Sequence, residues 1–182
     1  MAKAQSISLH IFLSLIKAFM QSENKYKINV RLKFFRNAAA LYNQGGLFSA
    51  TSGSAGFDLR ADIGAELGES VSIAPGERFM FRTGIAIETP DQGIAGFVYS
   101  RSGLGAVAGL AVAQGVGVID PDYRGEIKVP LLNTGSDTNT VKRGDRIAQL
   151  VFQPFYRASF MPVKELGQTE RGDGGFGHTG NK

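Results

Sequence analysis

Arg78–Glu88 reads RFMFRTGIAIE, a run rich in Phe, Ile and Thr, bounded by Pro75-Gly76 before it and by Pro90 to Gly93 after it. Residues that fit a pleated surface, cut off by turn-formers, predict a β-strand. Upstream, Lys27–Phe35 alternates, with Ile28, Val30, Leu32 and Phe34 on one face. Downstream, Ile94–Tyr99, Leu110–Ile119, Glu126–Leu132, Ile147–Phe155 and Phe160–Val163 read the same way, separated by Pro121 with Gly125, Thr134 to Asp137, and Arg143 to Asp145. The intervals leave no room for crossover helices, so the expected fold is all-β, a barrel or jelly roll. Only Gly103–Gly117, GLGAVAGLAVAQGVG, has room for one short helix before a strand, and for Ala106–Val112 core packing of small residues is the preferred reading.

The chain has 182 residues, enough for one domain with a real core. Twenty basic and 16 acidic residues give +4, which suits an anionic ligand, and no basic block argues for nucleic acid. Without cysteine there is no disulfide framework, thiol nucleophile or cysteine zinc site. His10 and His178 are too few and too far apart for a histidine metal cluster, so an acting metal would be a hard ion such as Mg²⁺ carried by a phosphate substrate. Ile7–Met20, ISLHIFLSLIKAFM, is apolar at helical spacing but broken by His10 and Lys17 and too short to span a bilayer. It reads as an expendable extension, with Met20 an alternative start, or else as a targeting or partner helix; the expected location is the cytoplasm.

Near the other end, Arg171–Gly180 reads RGDGGFGHTG, with five glycines in ten positions. Glycine amides wrap anions, Arg171 adds a bidentate charge and Phe176 a flat face, a combination suited to closing over phosphates and a ring. A plain flexible tail is the alternative. Gly172, Gly177, His178 and Thr179 also imitate a P-loop, but His178 replaces the lysine and only three residues follow Thr179, leaving no helix to present its N-terminus.

Four more segments join a tight glycine to a polar residue at a strand edge: Ala55–Ala61 (AGFDLRA), Tyr99–Gly105 (YSRSGLG), Gly115–Glu126 (GVGVIDPDYRGE) and Gly144–Leu150 (GDRIAQL). Turn chemistry alone explains many such residues. Asp120 follows the apolar run Val116–Ile119 and precedes Pro121, a carboxylate at the rim of a buried strand that can still reach water. Asp122 competes with it, and reads as a turn residue. Arg101, Ser102 and Gly103 set a charge, a hydroxyl and amides at one turn, a combination suited to an anion.

With the glycine-rich end, these segments resemble, in order and spacing, the five motifs of the trimeric dUTP pyrophosphatases, from about Lys27 to the C-terminus. The resemblance implies a homotrimeric jelly-roll-like barrel over residues 25–166, an arm over 167–182 that closes the active site, and an extension of unknown role over 1–24. It implies Mg²⁺-dependent hydrolysis of dUTP to dUMP and pyrophosphate, which keeps uracil out of DNA and supplies dUMP for thymidylate synthesis. By the same resemblance, Asp120 activates the water that attacks the α-phosphorus. Gln114, Gly117, Val118 and Ile119 serve uracil, Tyr123 packs on the deoxyribose, and Lys128 belongs to the same site. Arg101, Ser102, Gly103 and Gln149 take the phosphates, while Arg171, Phe176, Gly177 and Thr179 belong to the arm. Asp58 orders an arginine or a metal-bound water, and no side chain ligates Mg²⁺ directly because the triphosphate holds it. Tyr123 also fits ordinary core, and Gln149 a cross-strand hydrogen bond. His178 departs from the family, which favours a small hydroxyl residue there. Two other readings stay open: a dCTP deaminase-like enzyme of the same fold, and a non-catalytic nucleotide-binding regulatory trimer.

Overall fold

The computed structural model describes residues 27–42, 47 and 49–175. Eleven strands follow one another: β1 (Arg31–Phe34), β2 (Phe57–Arg60), β3 (Ser70–Ile73), β4 (Arg78–Arg82), β5 (Ile85–Glu88), β6 (Ile94–Tyr99), β7 (Leu110–Val112), β8 (Gly117–Ile119), β9 (Lys128–Asn133), β10 (Asn139–Lys142) and β11 (Arg146–Pro154). One helix, α1 (Ser102–Val107), and two 3-10 turns, Ala38–Tyr42 and Ala65–Leu67, complete the regular structure among the described residues. The fold is all-β, as the turn spacing predicts. Every pairing is antiparallel, in a four-stranded sheet of order β2-β11-β6-β8, a three-stranded sheet β4-β9-β7 and two ribbons, β1-β5 and β3-β10.

Two runs read as single strands are each two strands in different sheets. RFMFRTGIAIE breaks at Gly84, whose φ of 72° is left-handed and whose missing Cβ leaves room for Ala38. On one side of the break β4 pairs with β9, and on the other β5 pairs with β1. Thr83, fully buried, secures the break by donating from Oγ1 to the Ile127 carbonyl at 2.7 Å. Leu110–Ile119 likewise breaks at Gly115, φ 80°, so that β7 joins β9 and β8 joins β6. Glycine carries such a φ without the steric penalty a Cβ brings.

Phe160–Val163 is not a strand: Phe160 is 90% exposed and Met161 83%, and the described chain offers that segment no partner strand. β3 and β10 come as additions. With sequences SVSI and NTVK they turn only one or two apolar residues inward, too few to show an alternation. α1 falls at the start of the stretch with room for a helix, beginning one residue before it, but buries no residue; of the segment assigned to core packing, Leu110 and Val112 are buried while Val107 stands in solvent.

The core gathers Leu59, Ile73, Phe81, Ile85, Ile127, Leu131, Ile147 and Leu150, all essentially without exposure. Each such side chain contributes roughly 1.5–3 kcal/mol by leaving water. β11 runs through the middle, bonded to β2 on one edge and β6 on the other, with a register shift between Arg146 and Ala148. At the barrel's side, Tyr42 donates to the Thr83 carbonyl at 2.9 Å and accepts from the Arg60 amide at 3.0 Å. Burial pushes its phenol up to about 12.

Candidate active site

The chain reverses after β8 through Asp120, Pro121, Asp122 and Tyr123, where the Tyr123 amide donates to the Asp120 carbonyl at 3.1 Å. Pro121 is buried and pins the turn, while Asp120 is exposed at its edge. Arg124 closes the turn from outside, donating to the Pro121 carbonyl at 2.7 Å. Beside this turn lies an open hollow of about 570 Å³, lined by Gln114, Gly117, Val118, Ile119, Asp120, Tyr123 and Lys128. These are all the residues the sequence assigns to uracil, sugar and water activation. Asp122 is exposed and does not line the hollow.

Gly117 keeps the floor low, since a Cβ there would approach Gln114 Nε2 at 3.2 Å and Val98 Cβ at 3.3 Å. Tyr123 is 43% exposed, so it is not ordinary core. Its hydroxyl donates to the Glu126 carbonyl at 3.0 Å, and a Cβ at Gly125 would run into its ring. Met80, Val98, Glu126, Ile127 and Pro130 also line the hollow and were not singled out in the sequence. For Met80 the signal was available: it is the polarity-breaking residue on the solvent face of β4, 53% exposed.

The residues assigned to phosphate form a second group. Asp58 on β2, Gln149 on β11 and Tyr99 on β6 occupy one row across three strands. Asp58 Oδ1 pairs with Arg101 Nε at 3.0 Å, and Oδ2 with Arg146 Nη1 at 3.1 Å. Arg101 Nη1 donates to the Arg146 carbonyl at 3.2 Å, fixing the two guanidinium groups side by side. Gln149 Nε2 donates to the Ser100 carbonyl at 3.0 Å, so within this chain it makes the cross-strand bond. Ser102 and Gly103 open α1 and are exposed, and the first amides of a helix have no acceptor within it. Arg146, in the quoted GDRIAQL segment, is the member of this group that sequence reasoning passed over.

The two groups share no residue. Across the sheet, Asp58 lies three inter-strand spacings, about 14 Å, from the strand that floors the hollow, with Gln149 two spacings and Tyr99 one spacing away. Arg171 joins neither, and donates from Nε to the Gly174 carbonyl at 2.9 Å on an exposed stretch. Phe176, Gly177, His178 and Thr179 lie outside the described residues. A larger groove of about 960 Å³ lies at the start of β1 and the end of β11, but among its lining residues Lys27 is the one charged side chain and there is no carboxylate. Size therefore does not mark the site; the chemistry of the smaller hollow does.

The family model that matches is dUTPase, over residues 47–180. The deoxyuridine 5'-triphosphate nucleotidohydrolase of Desulfitobacterium hafniense (strain DSM 10664 / DCB-2) is 52% identical over 131 residues, covering 72% of this chain and 84% of that protein. The protein of the same name from Enterobacter sp. (strain 638) is 47% identical over 133 residues, covering 73% and 85%. Among solved structures, a mutant dUTPase of Staphylococcus bacteriophage 80alpha with dUpNHpp superposes with a TM-score of 0.70 at 23% identity, covering 84% of this chain and 98% of that one. A mutant dUTPase from phage phi11 of S. aureus, described for its coordination of a structural Mg(II) ion, gives 0.63 at 20% identity, covering 77% and 99%. At those identities the likeness is one of fold, the jelly-roll-like barrel of these proteins.

Proposed function

The chain belongs to the dUTPase family and hydrolyses dUTP to dUMP, and we propose that it does so at a site built from several subunits of a homotrimer. In this reading the hollow beside β8 comes from one subunit, the Asp58–Arg101–Gln149 group from a second, and the glycine-rich arm from a third. That the hollow and the group centred on Asp58 share no residue, with Asp58 three strands away from the hollow, carries the proposal. Further support comes from the segment after β11, where Tyr156, Phe160, Met161 and Leu166 are almost fully exposed. So many large apolar side chains within eleven residues call for a cover that the described residues of this chain do not supply.

Asp120 takes the proton from a water whose oxygen attacks the α-phosphorus; the bond from that phosphorus to the bridging oxygen breaks, and pyrophosphate leaves. An exposed, rigidly mounted carboxylate suits a general base, a role worth about 10² to 10⁴ in rate. Backbone groups of Gly117, Val118 and Ile119 face the uracil edge with Gln114 assisting, and cytosine, whose donors and acceptors are reversed, leaves them unpaired. Tyr123 packs against the deoxyribose, where a 2′-hydroxyl would clash, and Lys128 faces the same ligand. Arg101 uses Nε and one Nη inside its own group and offers the remaining nitrogen to phosphate, with Ser102 and Gly103 adding donors. Gln149 reaches phosphate by exchanging the Ser100 carbonyl for it. Arg171, Phe176, Gly177 and Thr179 close over the nucleotide, excluding water and fixing the attack geometry. We place the barrel at residues 25–166 and the arm at 167–182.

The family implies a Mg²⁺ ion. Among the described residues no three His, Cys, Asp or Glu side chains gather to ligate one, and Asp58 is already committed to two arginines. Phosphate oxygens are the hard donors Mg²⁺ prefers, so a triphosphate-borne ion fits the residues present. When bound, it neutralises charge developing on the phosphates.

Pyrophosphate release measured across dUTP, dCTP, dTTP and UTP tests the reading, with turnover expected for dUTP and little for the others. Ammonia released from dCTP would favour a deaminase. Tight dUTP binding without turnover would favour a regulatory trimer.

A further inference from the structure

The hollow contains a carboxylate to which the reaction assigns no task. Glu126 lines it, yet its side chain is only 12% exposed and is held from behind. Oε1 accepts the Gly84 amide at 2.8 Å, and the Arg36 guanidinium bonds both oxygens, Nη1 reaching Oε2 at 3.3 Å. Arg36 is itself clamped by buried Asp62, whose Oδ2 accepts from Nε at 3.0 Å and from Nη2 at 2.7 Å, while Arg143 holds Oδ1 at 3.1 Å. The Glu126 backbone carbonyl, in turn, accepts the Tyr123 hydroxyl. Charge-assisted bonds thus run from Asp62 through Arg36 to the Glu126 side chain, and the backbone of the same residue carries a neutral hydrogen bond on to the ring at the mouth of the hollow.

Arg36 has a φ of 51° and is the only non-glycine residue with a left-handed backbone among the described residues. Such conformations persist where the surroundings over-determine them, and they cluster at functional sites. The Phe35 amide, donating to the Gly84 carbonyl at 2.8 Å, ties this strained turn to the same glycine that serves Glu126.

We propose that Arg36 is a positioning residue for sugar selectivity, holding Tyr123 rigid through Glu126 so that a ribonucleotide is refused. The inference rests on the reading of Tyr123 as the surface that meets the deoxyribose. Steric exclusion of one hydroxyl works only if the excluding ring cannot yield, because a ring free to shift by a fraction of an ångström admits the larger sugar. Bonds to ionised partners are shorter and stronger than neutral ones, so the Arg36 fork fixes the Glu126 residue whose backbone carbonyl the ring leans on.

The test is the ratio of kcat/KM for dUTP to that for UTP in the full-length protein. Arg36→Met is expected to narrow the ratio roughly tenfold, and Arg36→Lys to recover part of it, since an ammonium pairs with one carboxylate but lacks the fork that bridges two. Val141→Ala, a buried substitution in β10, is expected to lower Tm and leave the ratio unchanged. If Arg36→Met fails to fold, Glu126→Gln keeps an acceptor for the Gly84 amide, removes the ion pair and supplies the same measurement. An unchanged ratio in Arg36→Met where Tyr123→Ala alters it overturns this inference alone. An unchanged ratio in Tyr123→Ala overturns the sugar reading beneath it as well. Equal narrowing in Val141→Ala overturns the inference by reducing Arg36 to general support of the barrel.

Discussion

The hollow beside β8 and the arginine group around Asp58 are built on opposite principles. Except for Met80 and Val98, the lining of the hollow runs from Gln114 to Pro130, one strand, one turn and the start of the next strand. Asp58, Arg101 and the pair Arg146 and Gln149 come instead from three places in the chain and meet because β2, β11 and β6 are neighbours. A contiguous hairpin can shape a recess for a flat ring by local backbone geometry. Concentrating positive charge needs nonlocal pairing, because the guanidinium groups repel unless a carboxylate is set between them. Asp58 is that carboxylate, and it leaves the two cations aligned rather than splayed.

The largest effect is expected in the hollow. Asp120→Asn should lower turnover by about 10² or more while dUTP binding persists, because the amide fits but takes no proton. Equilibrium binding beside single-turnover kinetics checks this, and loss of activity in Asp122→Asn with Asp120→Asn unaffected would transfer the role to Asp122. The same variant tests whether the two regions belong to different subunits. Mixed and reassembled with inactive Arg101→Met chains, it should regain about a quarter of wild-type activity under random assembly, since some sites then take each region from an intact donor. Mixtures as inactive as their parents would place both regions of a site in one chain.

Next in size, a chain ending at Thr169 should keep the fold by circular dichroism and lose most hydrolysis, since the last strand ends at Pro154, well before the cut. Full activity in that chain would remove the arm from the mechanism. A smaller loss, about tenfold in kcat/KM with the fold retained, is expected for Asp58→Asn, which leaves Arg101 in place but frees it to turn. A loss as large as that of Arg101→Met would mean Asp58 does more than align the arginine.

The smallest effect is one of stability. The Tyr42 phenol titrates near 10 in the unfolded chain and near 12 in the folded one. Its contribution is therefore complete below pH 10 and lost as pH rises from 10 to 12, a change on the order of 2 kcal/mol. Thermal melts across that window should show a fall in Tm that is shallower in Tyr42→Phe, and parallel slopes in the two proteins would remove Tyr42 as the cause.

The strand errors share a cause with the difference between the two regions. RFMFRTGIAIE and Leu110–Ile119 looked continuous because period-two alternation records which face of a strand is apolar and carries no record of its neighbour. At Gly84 and Gly115 the chain changes sheets without interrupting that pattern. Phe160–Val163 has the composition of a strand but no partner strand among the described residues, so it stays irregular and exposed.

What the amino-acid order determined by itself was therefore local: an all-β chain, the hairpin from Gln114 to Lys128 with its carboxylate at the rim, and the identity of the polar residues at each strand edge. Tertiary structure alone decided that Asp58 bridges Arg101 and Arg146, that Gln149 spends its amide on Ser100, and that Arg36 reaches Glu126 across ninety residues of chain. Turn chemistry and side-chain alternation act over a few residues and are legible in order along the chain. Which strand lies beside which is settled only when distant apolar faces are buried together, and the charges that meet at their edges follow from that choice.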